Sequence, residues 1–235
     1  MEAAAVDDHP VPRALIVADI GCRWGIPQRW AESGSELRVF AFDADPGECA
    51  RLRATAPSNI TYVGTALGAH DGTVRLHLTE DAACNSLFPP DADALALFPG
   101  LRVATPTGAR DVAVRTFDGW AREAGVAEVD VLKLDIQGAE LSVLRGAEGL
   151  LSTVRIIEAE VAFNPMYEGQ PLFGDVDAYL RARGFLLWRL GHLVHYASQA
   201  QREATVARND RQFFDSKPVE FSVGPGQVTW GHAYY

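Results

Sequence analysis

Hydrophobic and polar positions along this chain change period repeatedly, and the period sorts the elements. ALIVADI (14–20) is a continuous, β-branched run, the pattern of a strand covered on both faces in a parallel sheet. PQRWAESGS follows as a short helix with Pro27 near its start, where a missing N–H costs nothing. LRVFAFD predicts a second strand, the stretch from Pro46 through RLRATA a second helix, and NITYVGTALG a third strand with its exit. Strands and helices alternating at this spacing predict a doubly wound, mostly parallel α/β sheet.

The rhythm breaks at GAHDGTVRLHLTE, where a D-G turn precedes an alternating strand, so a β insertion is placed after the third strand. Residues 81–108, with the segment ACNSLFPP, read as a long loop at the mouth of a site; its part around Asn85 and Ser86 reads as an acceptor lid or as a solvated loop. Alternation returns with DVAVRTF, the helix FDGWAREAG, a fourth strand VDVLKLD, the helix AELSVLRGAEGLL and a fifth strand VRIIEAEV. The helix DVDAYLRARG ends at Gly184, and the tail segments GFLLWRLGHLVHY and GQVTWGHAYY read as further, antiparallel strands.

Composition narrows the classes. A hydrophobic fraction of 48% and a charged fraction of 22% are ordinary globular values. No apolar run approaches the roughly 18 residues of a membrane span, and a soluble protein is expected. A net charge of -10 argues against a nucleic-acid groove, which needs clustered Lys and Arg. Cys22, Cys49 and Cys84 form no C-x-x-C pair, and the acidic, proline-bearing N-terminus lacks the succession of a signal peptide. The expectation is a cytoplasmic protein with a flexible segment over 1–13 and one domain over 14–235. Assembly as a homo-oligomer stays open.

Three predicted strands end in acid: Asp19, Asp43 and Asp135. In an open parallel sheet, ligands sit beyond those carboxyl ends. Asp19 opens a D-x-G-x-x-x-G turn with Gly21 and Gly25, unlike the G-x-G-x-x-G that cradles a pyrophosphate. An acid-and-glycine turn suits a ligand with an ammonium, a sulfonium and a ribose, as in S-adenosylmethionine. Asp43, 18 residues beyond Gly25, is placed to accept from both ribose hydroxyls. The competing readings are a capping acid for Asp19 and an Asx turn before Pro46 for Asp43.

Strand alternation puts Lys133 and Asp135 on one face of the fourth strand and Glu158 with Glu160 on one face of the fifth, where burial demands Lys133 or another partner. Glu160, nearer the strand end, is the first candidate for the base or for holding an acceptor. Asp135, Glu140 and His192 stand behind it, and Glu140 serves equally well as a first-turn helix acid. His192 and His195, three apart on a strand, point to opposite faces, so no metal pair is expected.

The motifs VADIGCRWG, VFAFDADP, TALGAHDGTVRLHL, CNSLF, VDVLKLDIQGAELSVLRG and IIEAEVAFNPMYEGQPLFGDVDAYLRARGF, in that order, resemble those of the FkbM-type S-adenosylmethionine-dependent methyltransferases. The resemblance runs from about residue 15 to the tail GQVTWGHAYY. It implies a class I, Rossmann-like fold of seven strands with the last antiparallel, and methylation of a hydroxyl on a sugar, polyketide or other small metabolite. By position, Asp19, Gly21 and Gly25 resemble the family's cofactor loop, Asp43 its ribose acid and Asp135 the acid beyond the fourth strand. Rival readings are a nicotinamide-dependent oxidoreductase on a similar sheet and a non-catalytic S-adenosylmethionine-binding module.

Overall fold

The computed structural model describes residues 13–198, 208–214, 217–223 and 226–235. Most of the N-terminal segment expected to be flexible, residues 1–12, lies outside them. Three parallel strands come first, β1 (Leu15–Ile20), β2 (Leu37–Asp43) and β3 (Ile60–Gly64), joined by α1 (Gln28–Ala31) and α2 (Pro46–Arg53). Asp45 caps α2, accepting from Gly47 N and Glu48 N, with Pro46 at the first helical position. The predicted first helix is a single turn followed by a 3₁₀ turn at Gly34–Glu36, because Gly34 adopts a φ of +52°.

The β insertion stands apart as a second sheet of β4 (Ala66–Leu67), β5 (Gly72–Thr79) and β6 (Pro106–Arg115), in the order β4-β6-β5. Between β5 and β6 the expected long loop is instead structured. It holds α3 (Ala92–Leu97), capped by Asp91 on Ala94 N, and 3₁₀ turns at Ala82–Cys84 and Pro99–Ala104. Short polar caps and prolines had hidden these brief helices among turn signals.

The main sheet resumes with α4 (Phe117–Ala124), β7 (Val131–Leu134), α5 (Glu140–Arg145), β8 (Ile156–Ala162) and α6 (Phe173–Arg181). Thr116 caps α4 through Gly119 N, and Gly125 closes it at a φ of +67°. β9 (Arg189–Tyr196), a hairpin of β10 (Arg208–Phe214) and β11 (Lys217–Val223), and β12 (Gln227–Tyr234) complete the chain. Of the tail, residues 184–188 form no strand, and β9 alone precedes the hairpin, which the sequence pattern did not show.

Seven strands run in the order β3-β2-β1-β7-β8-β12-β9, with β12 antiparallel to both neighbours. This is the mostly parallel, Rossmann-like α/β sheet expected, with its strand order reversing between β1 and β7. Each face has its own core. Ala18, Phe40, Phe42, Leu132, Leu134 and Ile157 point to one side against α4, α5 and α6. There Trp120 meets Phe40 and Phe42 edge-on, with ring centroids at 5.1 and 4.7 Å. Val17, Val39 and Ala41 point to the other side, where Trp30, Cys49 and Leu52 pack from α1 and α2.

Candidate active site

The first turn is shaped by backbone contacts at the reversal point. Gly21 N and Cys22 N both donate to Phe42 O at 2.9 Å, tying the end of β1 to that of β2. Gly21 has a φ of +96°, and a Cβ there would lie 1.9 Å from the carbonyl oxygen of Asp135. Only glycine fits so close an approach. Gly25 N closes the turn on Cys22 O at 2.8 Å.

Asp19 is 1% exposed and Lys133 8%. Their strands pair them directly, and Lys133 Nζ lies 3.0 Å from Asp19 Oδ1 and 3.5 Å from Asp135 Oδ2. Burial pushes Asp19 up to about 6 despite the attraction of Lys133. Its second oxygen, Oδ2, is buried with no hydrogen-bond partner. Asp43 makes the Asx contact of the competing reading, accepting from Asp45 N at 2.7 Å, with Arg23 at 3.6 Å. It also lines a cleft, and burial raises its pKa against the help of that hydrogen bond and Arg23.

That cleft, of about 250 Å³, opens beyond the ends of β1, β2 and β7 and is walled by Gly21, Trp24, Asp43, Leu67, Leu87 and Asp135. The structure thus brings Gly21, Asp43 and Asp135 together on one cavity. Asp19 and Gly25 are not among its lining residues. Asp19 is joined to the wall through Lys133, and Gly25 closes the turn behind it.

A second cavity of about 350 Å³ adjoins the first, sharing Ala83, Asp135 and Gln137. Glu160, His192, Trp230, His232, Tyr167 and Tyr196 line it. Glu160 accepts from Gln137 Nε2 at 2.9 Å. Burial first, then the charges of Asp135 and Glu140, raises its pKa well above the carboxylate range, which favours the uncharged acid. Glu140 does not line either cavity. Its Oε1 accepts from Ile136 N at 2.9 Å and Gly138 N at 3.3 Å, holding the loop that carries Gln137, and burial pushes it up to about 7.

Asn85 lines the first cavity and not the second, and Ser86, which lines neither, is buried behind it, which corrects both the acceptor-lid and the solvated-loop readings. Ser86 is buried and exchanges backbone bonds with His77 at 2.8 and 3.2 Å, while its Oγ donates to Gln137 O at 2.6 Å. Asn85 Oδ1 accepts from Thr79 N at 2.9 Å. Among the described residues no cluster of His, Cys, Asp and Glu is arranged to hold a metal ion, and no helix is long and apolar enough to cross a membrane.

The sequence profile of the methyltransferase FkbM domain matches residues 19–187. This chain belongs to the FkbM methyltransferase family. The 2-O-methyltransferase NoeI of Sinorhizobium fredii (strain NBRC 101917 / NGR234) is 28% identical over 173 residues, covering 69% of this chain and 70% of that protein. No solved structure matches.

In this FkbM methyltransferase the lining of the first cavity falls inside the matched stretch, whereas His192, Tyr196, Trp230 and His232 reach the second from beyond its end. His192 arrives there through a bulge. Trp230 faces Val194 and His232 faces Gly191, so β9 carries one residue more than β12 in this interval, and His192 takes a φ of +50°. His195 lines neither cavity. Sequence reading passed over Tyr167, Trp230 and His232. The alternation in TWGHAYY, with Trp230, His232 and Tyr234 on one face and buried Thr229, Gly231 and Ala233 on the other, was the signal that could have found the last two.

Proposed function

We propose that this protein is an O-methyltransferase that moves the methyl group of S-adenosylmethionine to a hydroxyl of a small molecule such as a sugar or polyketide. The observation that carries this reading is the pair of adjoining cavities separated at Asp135 and Gln137. One suits a donor and the other an acceptor. The name of the relative, a 2-O-methyltransferase, favours oxygen as the accepting atom. The nicotinamide reading has no such support.

The donor cavity fits S-adenosylmethionine in its chemistry. Asp43 would hold the ribose, Gly21 presents bare backbone to the donor, and Asp135 on the same wall supplies negative charge for its ammonium. When bound, S-adenosylmethionine supplies a methyl group already activated by its sulfonium. The chain has then to align the acceptor oxygen, exclude water and take up a proton. Alignment of this kind contributes about 7 to 11 kcal/mol.

In the acceptor cavity Glu160 is assigned to holding the hydroxyl, His192 and the aromatic rings to the wall, and Glu140 to fixing the Gln137 loop. Asp43→Asn, which keeps an acceptor for Asp45 N, is expected to weaken S-adenosylmethionine binding by at least about a hundredfold, since two charge-assisted hydrogen bonds are each worth roughly 1.5 to 3 kcal/mol. Titration calorimetry measures this. Affinity unchanged in both Asp43→Asn and Asp43→Ala contradicts the ribose assignment.

A further inference from the structure

Strand register assembles a polar row that no local stretch of sequence contains. Asp19 pairs with Lys133, Lys133 with Glu158, Glu158 with Tyr234 and Tyr234 with Arg189, one residue from each of five neighbouring strands. One step toward the cavities, Glu160 pairs with His232. Directly paired residues share a face, so Glu158, Glu160, His232 and Tyr234 all lie on one side of the sheet.

His232 bridges these two levels. Its Nδ1 lies 3.1 Å from Glu158 Oε1, while the ring borders the acceptor cavity, which Glu158 does not reach. Glu158 is itself held from several sides: Arg29 lies 3.0 Å from Oε2, and Tyr234 Oη lies 3.4 Å from Oε1. Burial works against its ionisation, but the bond to His232 and the nearby charges of Arg29 and Lys133 prevail and hold its pKa below the usual range. A carboxylate fixed in this way selects the imidazole tautomer with its proton on Nδ1. The lone pair of Nε2 is then left for the cavity.

The other groups on this cavity are less suited to accept a proton. Glu160 favours the protonated form, and Asp135 lies against Lys133. His192 stands edge-on to His232 at 5.7 Å, and burial followed by the nearness of His232 lowers its basicity.

We infer that His232, oriented by the positioning residue Glu158, is the general base that removes the proton from the acceptor hydroxyl; this rests on the two-cavity reading above. As the acceptor oxygen bonds to the methyl carbon, the carbon–sulfur bond breaks and its electron pair leaves with sulfur, now a neutral thioether. The hydroxyl proton passes to Nε2, and Glu158 compensates the imidazolium until the proton is lost to solvent. The base comes from the last strand, outside the stretch matched to the family.

Two measurements on the full chain test this. In the first, a small-molecule extract serves as the acceptor pool with radiolabelled S-adenosylmethionine, and calorimetry tracks donor affinity in parallel. His232→Gln is expected to lower transfer by about 10² to 10⁴ with donor affinity within about twofold of the natural protein. In the second, ¹⁵N–¹H correlation of the imidazoles at pH 8, with His232 assigned by its absence from His232→Gln, is expected to show the Nδ1–H tautomer. Transfer retained by His232→Gln, or an Nε2–H tautomer at His232, overturns the base assignment and leaves the methyl-transfer reading standing. No transfer from the pool by the natural protein, with donor binding intact, counts against the methyl-transfer reading and removes the base role with it.

Discussion

At Gly21 a single missing side chain decides whether the first turn can form. Its φ of +96° and the 1.9 Å between a hypothetical Cβ and the Asp135 carbonyl oxygen make Gly21→Ala both strained and obstructed. That substitution is expected to cost about 3 kcal/mol or more, read from the urea midpoint, and to abolish donor binding. A loss below about 1 kcal/mol would show that the turn has room to yield. The residue-level signal was legible because strand ends and glycine turns are local features. Asp43 shows how two local readings coexist: it makes the Asx turn and still borders the cleft. His232 was not legible at this scale, since a histidine in an alternating tail carries no mark of the carboxylate 74 residues away.

Among the elements, β1, β7 and β8 are joined by more than their backbone ladders. Lys133 stands between Asp19 and Glu158 in register and forms its ion pair with Asp19. Lys133→Met is expected to destabilise the protein by about 3 to 5 kcal/mol, because it leaves the buried carboxylate of Asp19 without its counter-charge. Asp19→Asn in that background is expected to recover part of the loss, as measured by chemical denaturation; strictly additive losses would argue against coupling. The strands themselves were plain in the sequence from their continuous apolar runs. The short helices of 82–104 were not, since caps, prolines and turns share the same residue types.

For the whole molecule, the raised acids set the direction in which stability changes with pH. An acid whose folded pKa exceeds its unfolded value takes up a proton on folding. Its stabilising contribution is full below the unfolded value and is lost as pH rises through the folded one. Asp19 at about 6 and Glu140 at about 7 place that loss between roughly pH 4 and 7, against unfolded values near 4. Glu140→Gln retains an oxygen for the N–H groups of Ile136 and Gly138 but cannot ionise. The fall in unfolding free energy from pH 5 to pH 8 is expected to be smaller in this variant by about 1 to 3 kcal/mol. Parallel pH curves for the two proteins would contradict the raised value at Glu140.

By itself the sequence determined the alternation of strands and helices, the glycine turn and the acids at three strand ends, because side-chain periodicity and turn chemistry act over a few residues. It also carried the motifs of the FkbM methyltransferase family, to which the chain belongs. The tertiary structure alone decided which acids share a cavity, that Asp19 reaches the site through Lys133, and that Glu158 meets His232. Those outcomes depend on register between strands distant along the chain, and a shift of one residue would turn each of these side chains to the opposite face.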